Sequence, residues 1–565
     1  MSNPREQFSL GSLQDAVDGL LARLQKTEVI RRIWNRDHTV WRPEPAEIAN
    51  RLGWLDSPTA MPRELGEVRT VVDDVRRAGY THALLLGMGG SSLAPEVLRR
   101  IFGIGDGHLD LAVLDSTHPG AVLAEQRRLD VRRTLFVPAT KSGGTVETMS
   151  FLKYFYNRVV EAVGQRQAGE HFVAITDPGS GLEEMARGLH FRHVFLNDPD
   201  IGGRYSALSL FGLVPALFLG LDGDRLLQRA RQLGLDCPTA AENPGARLGA
   251  AMGAAAACGR DKLTLVLSPT LTPFGAWIEQ LVAESTGKEG HGILPVDGEP
   301  VGPPQVYADD RLFVYVCLRG EDTHDRAVAA LNQAGHPVFC VELADLYDLG
   351  GELFGWELAT AVAGHCLGIN PFDQPDVETA KVLARNMVRS YQEQGHLPVE
   401  EPDLVVGDIA VYAGGGGSSV EAALDELFRH PGAGLGRPYL ALQAFLQPDD
   451  RITDLLQDLR RRWRDRLQWA TTLGFGPRFL HSTGQLHKGD AGRGLFIQFT
   501  ADPQEDAPIP QTPGATESHL SFGVLLGAQA LGDRRALLGR HRRVLRLHLG
   551  RDPEAGLRQL QRLLG

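Results

Sequence analysis

An α/β architecture built mainly on parallel sheets follows from three features of the chain. Short, continuously apolar runs alternate with amphipathic segments. Small-residue loops separate several of these runs from the helix that follows. After a long helical stretch, the same alternation restarts at Leu263. Strand, loop and helix in this order imply βαβ units and sheets buried on both faces. The expectation is two doubly wound parallel-sheet domains followed by a C-terminal α/β domain.

Residues 1–75 are rich in Arg, Glu and Leu and form an N-terminal helical segment, with helical periodicity around Leu10–Thr27. A first α/β domain spans 76–245. Its predicted strands are His82–Leu86, Thr134–Pro138 and Phe172–Thr176, followed by helices over Ala94–Phe102, Val146–Val160 and Gly181–Gly188. A second spans 246–395, with strands at Leu263–Ser268, Leu312–Leu318 and Val338–Val341 and helices at Phe274–Ser285 and Leu353–Leu367. Residues 396–438 carry Pro and Glu and then four consecutive glycines from Gly414, which predicts a flexible linker. In 439–565 the order β-α-β-β-α-β, from Tyr439–Leu446 to Val544–Leu549, suits a ferredoxin-like sandwich.

Composition narrows the function. At 565 residues, 43% apolar and 23% charged, the chain is an ordinary globular protein of about three or four domains. Lys+Arg 58 against Asp+Glu 70 leave a net charge of −12, which argues against nucleic acid or a membrane surface as partner. The most apolar stretch, Ala207–Leu221, is shorter than a membrane span and contains Pro215. Five scattered cysteines (Cys237, Cys258, Cys317, Cys340, Cys366) without a CxxC pair suggest neither zinc nor disulfides. The polar start MSNPREQF is unlike a secretory signal, so a cytoplasmic protein is expected.

Two loops carry the first chemical signal. Gly87-Met88-Gly89-Gly90-Ser91-Ser92 stands between a strand and a helix, where glycines let backbone approach a ligand and the helix start offers free N–H donors. Thr140-Lys141-Ser142-Gly143-Gly144-Thr145 occupies the equivalent place after the next strand, with three hydroxyls and one ammonium suited to a phosphate. It lacks the Walker order, so nucleotide hydrolysis is not expected. Either loop alone could be a helix cap; both at the ends of adjacent strands favour a shared anion site. Arg204 follows paired glycines in Gly202-Gly203-Arg204-Tyr205-Ser206. Gln280 and Glu284 share a helix face at i and i+4, and Gln374 and Lys381 are seven residues apart, about two turns.

Together these segments resemble the phosphoglucose isomerase family, in chain order across about residues 80–390. GGRYS and the FDQ…VE…K segment are its two most specific signatures, and GMGGSS, ATKSGGT and QLVAESTGK match the remaining site loops. The whole chain, including IWNRDHTVW and FLHSTGQLHKG, is similar to the isomerase half of fused transaldolase–phosphoglucose isomerase proteins. The resemblance implies two SIS-type domains, a homodimer, no metal or organic cofactor, and interconversion of glucose 6-phosphate and fructose 6-phosphate through a cis-enediolate. It assigns Gly90 and Ser91 to the first sugar-phosphate loop. Thr140, Ser142 and Thr145 become the phosphate-holding hydroxyls, with Lys141 between them, and Gln280 and Gln374 line the sugar. Glu284 becomes the general base, Arg204 the cation beside the reacting carbons, and Lys381 a group associated with ring opening. A non-catalytic sugar-phosphate-binding protein, or an isomerase of a mannose phosphate or sulfonated hexose, remain alternatives.

One departure stands out. The family's ring-opening histidine is expected within a Gly-Glu-Pro stretch, but Gly298-Glu299-Pro300-Val301-Gly302-Pro303-Pro304-Gln305 contains none. His291 is nearest but out of register, leaving Lys381 with water, or another group, for that step. The stretch His481–Lys488 reads as a polar loop over the site mouth or at a subunit contact, since its histidines lack zinc-pair spacing.

Overall fold

The computed structural model describes residues 5–235, 239, 242–414, 418–429 and 436–564; Cys237 lies outside them. The chain opens on β1 (Arg5–Ser9), which leaves the helical segment and pairs antiparallel with a strand of the second sheet, Ser9 opposite Val338.

The first sheet comprises β2 (His82–Gly87), β3 (Asp110–Leu114), β4 (Thr134–Ala139), β5 (Val173–Thr176) and β6 (His193–Leu196). Their order is β3-β2-β4-β5-β6 and every pairing is parallel. From β2 the chain turns to β3 on one side and comes back to β4 on the other. The crevice at such a reversal is where ligands bind in open α/β sheets. Gly87 is paired with Ala139, so the two glycine-rich loops leave the sheet at the same level. Helices α1 (Leu93–Phe102) and α2 (Val146–Val163) begin just beyond them.

Helix α3 (Pro244–Ala257) leads into the second sheet, formed by β7 (Lys262–Leu267), β8 (Leu294–Val296), β9 (Arg311–Leu318) and β10 (Val338–Leu343). These four strands are parallel in the order β10-β9-β7-β8, with β1 on the open edge. Helix α4 (Phe274–Thr286) follows β7, and α5 (Leu349–Leu367) and α6 (Val377–Gln394) complete this half. One apolar cluster runs from Leu10 to Phe372, so the first two sheets share a core.

The third sheet corrects two expectations. Its strands are β11 (Leu404–Val406), β12 (Ile409–Tyr412), β13 (Tyr439–Phe445), β14 (Ala470–Phe475), β15 (Gly494–Thr500) and, after a small hairpin of β16 (Pro508–Ile509) and β17 (Leu520–Ser521), β18 (Arg543–His548). The order is β11-β12-β18-β15-β13-β14. β14, β13, β15 and β18 are all parallel, so this is not a ferredoxin-like sandwich. Every residue of β13 is buried, as a strand covered on both faces requires. The crossover between β14 and β15 is a helix of six residues, Gly484–Gly489, too short to show a periodic face in the sequence. The predicted linker, 396–438, instead supplies β11, β12 and the helix Val420–Arg429; residues 415–417 and 430–435 lie outside the described ones.

The third domain is docked through apolar surface on both neighbours. Tyr439, Ala441, Phe496 and Val544 pack with Ala283, Leu294 and Val296. Ile509, Phe522 and Leu525 join the cluster beneath Phe151 and Phe155. The Gly-Glu-Pro stretch reinforces this junction. Glu299 pairs with Arg311 at 3.1 Å, both side chains fully buried, and accepts from Thr471 N and Oγ1 at 3.2 and 2.8 Å.

Helices α3 and α5 approach along Gly245, Gly249 and Gly253, one face at four-residue spacing. A Cβ on Gly249 would lie 2.5 Å from the Ala359 carbonyl oxygen. Gly249→Ala is therefore expected to cost about 1–3 kcal/mol, outweighing the roughly 1 kcal/mol gained in helix propensity. The exposed helical Gly19, which has no neighbour within 4 Å of its would-be Cβ, should gain stability on Gly19→Ala. Urea midpoints of the two variants, moving in opposite directions, check this.

Candidate active site

At the crevice of the first sheet the two loops are held open to a ligand by backbone contacts. Gly90 lies under the Gly202–Gly203–Arg204 segment so closely that a Cβ would stand 1.9 Å from the Gly203 carbonyl oxygen. Ser92, buried beside it, donates to the Gly89 carbonyl at 3.1 Å and to Asp115 at 3.3 Å. In the second loop, the Thr140 and Thr145 hydroxyls are 2.9 Å apart, and Ser142 Oγ accepts from Gly144 N at 3.3 Å. Thr145 is the N-cap of α2, yet its side chain makes no capping hydrogen bond. The helix-cap reading of this loop fails on that point, and the N-terminal N–H groups of α2 remain available as anion donors. Lys141 donates to Asp177 and to the Pro199 carbonyl, the latter at 2.7 Å, so its ammonium braces the loop. Burial raises the Asp177 carboxyl, with Lys141 opposing it.

Arg204 is the centre of the second cluster. Four hydrogen bonds and an ion pair hold its guanidinium: Nε–H donates to Ser285 Oγ at 2.7 Å, one terminal nitrogen donates to Gln374 Oε1 at 3.0 Å and pairs with Glu284 Oε1 at 3.3 Å, and the other donates to the Pro371 and Asp373 carbonyls at 2.7 and 3.0 Å. Glu284 and Ser285 come from the last turn of α4, the other acceptors from the segment preceding α6. One turn back on α4, Gln280 Nε2 donates to the His481 carbonyl at 2.7 Å and lies 3.3 Å from Glu284 Oε2. Gln280 Oε1 is buried with no partner, an acceptor facing no protein donor. The structure thus brings Gly90, Arg204, Gln280, Glu284 and Gln374 together.

Lys381 lies on α6 and lines a cavity of about 540 Å³ with Ser142, Thr145, Glu147, His481 and Gln529. His481 comes from the third domain, 201 residues from Gln280, and its imidazole Nε2 is 3.0 Å from Glu147 Oε1. Gln529 donates to the same oxygen at 2.7 Å and accepts from Thr117. Burial acts to raise the Glu147 carboxyl, but the charge and hydrogen bond of His481, a backbone hydrogen bond and the Lys381 charge together more than offset it, and the carboxyl is lowered. His481 thus lines the cavity, but the rest of His481–Lys488 is not the expected polar loop over its mouth: Ser482–Lys488 is buried and Gly484–Gly489 is helical, and nothing in the sequence pattern singles out the imidazole. His291 instead lines a separate cavity of about 80 Å³ with Asp261, Lys262, Tyr439, Asp490 and Arg493. No group of His, Cys, Asp or Glu among the described residues is arranged to hold a metal ion, and no helix among them is long and apolar enough to cross a membrane.

Comparison with known proteins agrees with this geometry. The sequence model of the family described as phosphoglucose isomerase matches residues 70–292. A glucose-6-phosphate isomerase of Rubrobacter xylanophilus is 31% identical over 363 residues, 55% of this chain and 83% of its own. That of Thermosynechococcus vestitus is 36% identical over 381 residues, 59% of this chain and 70% of its own. A solved structure of a hypothetical protein from Thermus thermophilus superimposes with a TM-score of 0.58 at 26% identity, over 68% of this chain and 99% of that one. A glucose-6-phosphate isomerase structure from Chlamydia trachomatis shares the fold, with a TM-score of 0.58 at 20% identity, over 67% of this chain and 86% of that one. Two doubly wound, mainly parallel sheets on one shared apolar core make this an α/β protein. Within that class, the chain belongs to the phosphoglucose isomerase family.

The contact between the first loop and the Arg204 segment gives a direct test. Gly90→Ala should lower kcat/KM for the sugar phosphate by at least tenfold, because its methyl group cannot coexist with the Gly203 carbonyl. Gly203→Ala, whose Cβ would meet nothing within 4 Å, should stay within about twofold; steady-state kinetics of the pair checks the contrast.

Proposed function

We propose that the protein interconverts glucose 6-phosphate and fructose 6-phosphate by proton transfer between C2 and C1. The observation that carries this reading is the Glu284 carboxylate set 3.3 Å from a buried Arg204 that is held by four further hydrogen bonds beside the glycine-rich loops. In the proposed mechanism the phosphate is bound by Ser142, Thr140, Thr145 and the start of α2, with Lys141 holding the loop in shape and Gly90 and Ser91 closing against it. This fixes the distant end of the substrate and converts binding energy into positioning of C1 and C2.

Glu284 takes the proton from C2 of the open-chain aldose, and the electrons move into the carbonyl to give a cis-enediolate. Returning the proton to C1, while the O2 hydroxyl proton passes to O1, yields the ketose. Base catalysis of this kind contributes about 10²–10⁴-fold. Arg204 has a fixed charge at working pH and is already oriented, so it stabilises the enediolate oxygen without reorganising. Gln280, with its free Oε1, and Gln374 hold sugar hydroxyls. The substrate arrives mainly as a ring, and opening it requires removal of the anomeric hydroxyl proton and protonation of the ring oxygen. His481, oriented by Glu147, and Lys381, which lines the same cavity, suit that exchange. A homodimer in the cytoplasm completes the reading, on the strength of family membership alone.

Glu284→Gln should retain sugar-phosphate affinity within about threefold but lose at least 10²-fold in kcat, with no deuterium entering C2 from heavy water. Turnover near that of the unaltered protein would sink the base assignment. Failure of the unaltered protein to turn over or exchange any hexose phosphate, while still binding one, would favour a sensor. For ring opening, His481→Asn should slow fructose 6-phosphate turnover by about 10²-fold or more. It should leave a 5-deoxyketohexose 6-phosphate, which cannot close a ring onto C2, nearly unaffected. Equal losses on both substrates would remove His481 from that step.

A further inference from the structure

Behind the Arg204–Glu284 pair lies a second buried cation that the mechanism above leaves unused. Lys288 sits just past the end of α4 in Ser285-Thr286-Gly287-Lys288, with its side chain fully excluded from solvent. Its ammonium donates to Asp373 Oδ1 at 2.7 Å and to the Asp373 backbone carbonyl. That same carbonyl accepts from Arg204 at 3.0 Å. One oxygen therefore holds two cations from different parts of the chain, and the residue bearing it precedes Gln374, itself an acceptor of Arg204.

We infer that Lys288 is the positioning residue that holds the Arg204 guanidinium against Glu284, acting through the Asp373 carbonyl that the two cations share. The inference rests on the isomerase reading above and extends it. Arg204 makes three of its four hydrogen bonds to residues 371–374. That segment is coil, with no strand or helix to fix it, until α6 begins at Val377. A buried point charge clamping the segment from behind supplies the rigidity that its own backbone lacks. The third domain closes the other end: Gln485 donates to the Gly287 carbonyl at 2.9 Å and to Asp376 at 2.8 Å, and accepts from Asp376 N.

The clamp is titratable. The charged groups facing Lys288 are Arg204 from the glycine loop, Glu284 from α4 and Asp373 from the coil; Asp376, paired with Arg540, lies beyond them. Burial first, and then the Arg204 charge, bring the ammonium down to about 8, with Asp373 and Glu284 opposing. Below that pH the clamp carries its charge. Above it the neutral amine holds the carbonyl less strongly and the positive field beside the enediolate weakens, so activity falls on the alkaline side.

The test is the pH dependence of kcat and KM for glucose 6-phosphate, from pH 6.5 to 9.5, in the unaltered full-length protein, Lys288→Met and Asp373→Asn. The unaltered protein should lose kcat above about pH 8 with KM changed less than threefold. Lys288→Met should reduce kcat at pH 7 by at least tenfold, with KM nearly constant, and abolish the alkaline limb. Asp373→Asn keeps the shared carbonyl but removes the carboxylate partner, so its limb should move to lower pH. A Lys288→Met protein within twofold of normal kcat, or an Asp373→Asn limb that stays in place, overturns the proposal. If Lys288→Met does not fold, the Asp373→Asn limb decides alone. Absence of turnover in the unaltered protein would refute the isomerase reading instead, so the two failures are distinct.

Discussion

The guanidinium of Arg204 is the knot through which the site is tied. Planar and always charged, it can hold a fixed geometry only if every N–H finds an acceptor, since a buried charged donor left unpaired is among the costliest defects in a protein interior. Here the acceptors come from the end of one helix, 81 residues on from Arg204, and from a coil 167 to 170 residues on from it. The helix cannot shift without dragging the coil, and neither can move without stranding a donor. Glu284 inherits its position from this arrangement. A carboxylate on an exposed helix turn would wander among rotamers; one paired with a buried guanidinium that is fixed from other sides does not.

Around that knot the two sheets divide the labour. The first supplies the anion crevice, where strand register brings two glycine-rich loops to one level and an uncapped helix start faces between them. The second supplies the helix that carries Gln280 and Glu284. Because both sheets share one continuous apolar core, the distance between the Thr140–Thr145 loop and Glu284 is set by packing rather than by a hinge. An isomerase needs this rigidity, since its base must serve two adjacent carbons without repositioning.

Much of this is legible in the residues alone, and the limits of that reading are physical. The strands β2, β4, β7 and β9 announce themselves as apolar runs, and the helices after β2, β4 and β7 by periodicity. The motif loops are recognisable because their function depends on local backbone: Gly90 and the Thr140–Thr145 loop need particular residues at particular places. The third sheet misleads for the converse reason. The helix over Gly484–Gly489 is a turn and a half, with Ser482 and Thr483 ahead of it, and offers no stripe to detect; two parallel strands then look like neighbours in a meander. His481 and Lys288 lie beyond the reach of sequence pattern because their meaning is in contacts with Glu147 and Asp373, far off in the chain. Conversely, the Gly-Glu-Pro stretch looks like a site segment lacking its histidine, whereas its Glu299 is spent on a buried ion pair across a domain junction.

The docking of the third domain has a consequence for the chain as a unit of inheritance. Its inner surface is apolar against Leu294 and Val296 on one side and against Phe151 on the other, and the same contact delivers the imidazole. A shortened gene product ending near residue 395 would lose His481 from the cavity and gain two greasy faces at once. Solubility and chemistry are thus secured by one joint, and selection on either preserves both. What first looks like an appendage is welded to the site, and the chain cannot shed it gradually.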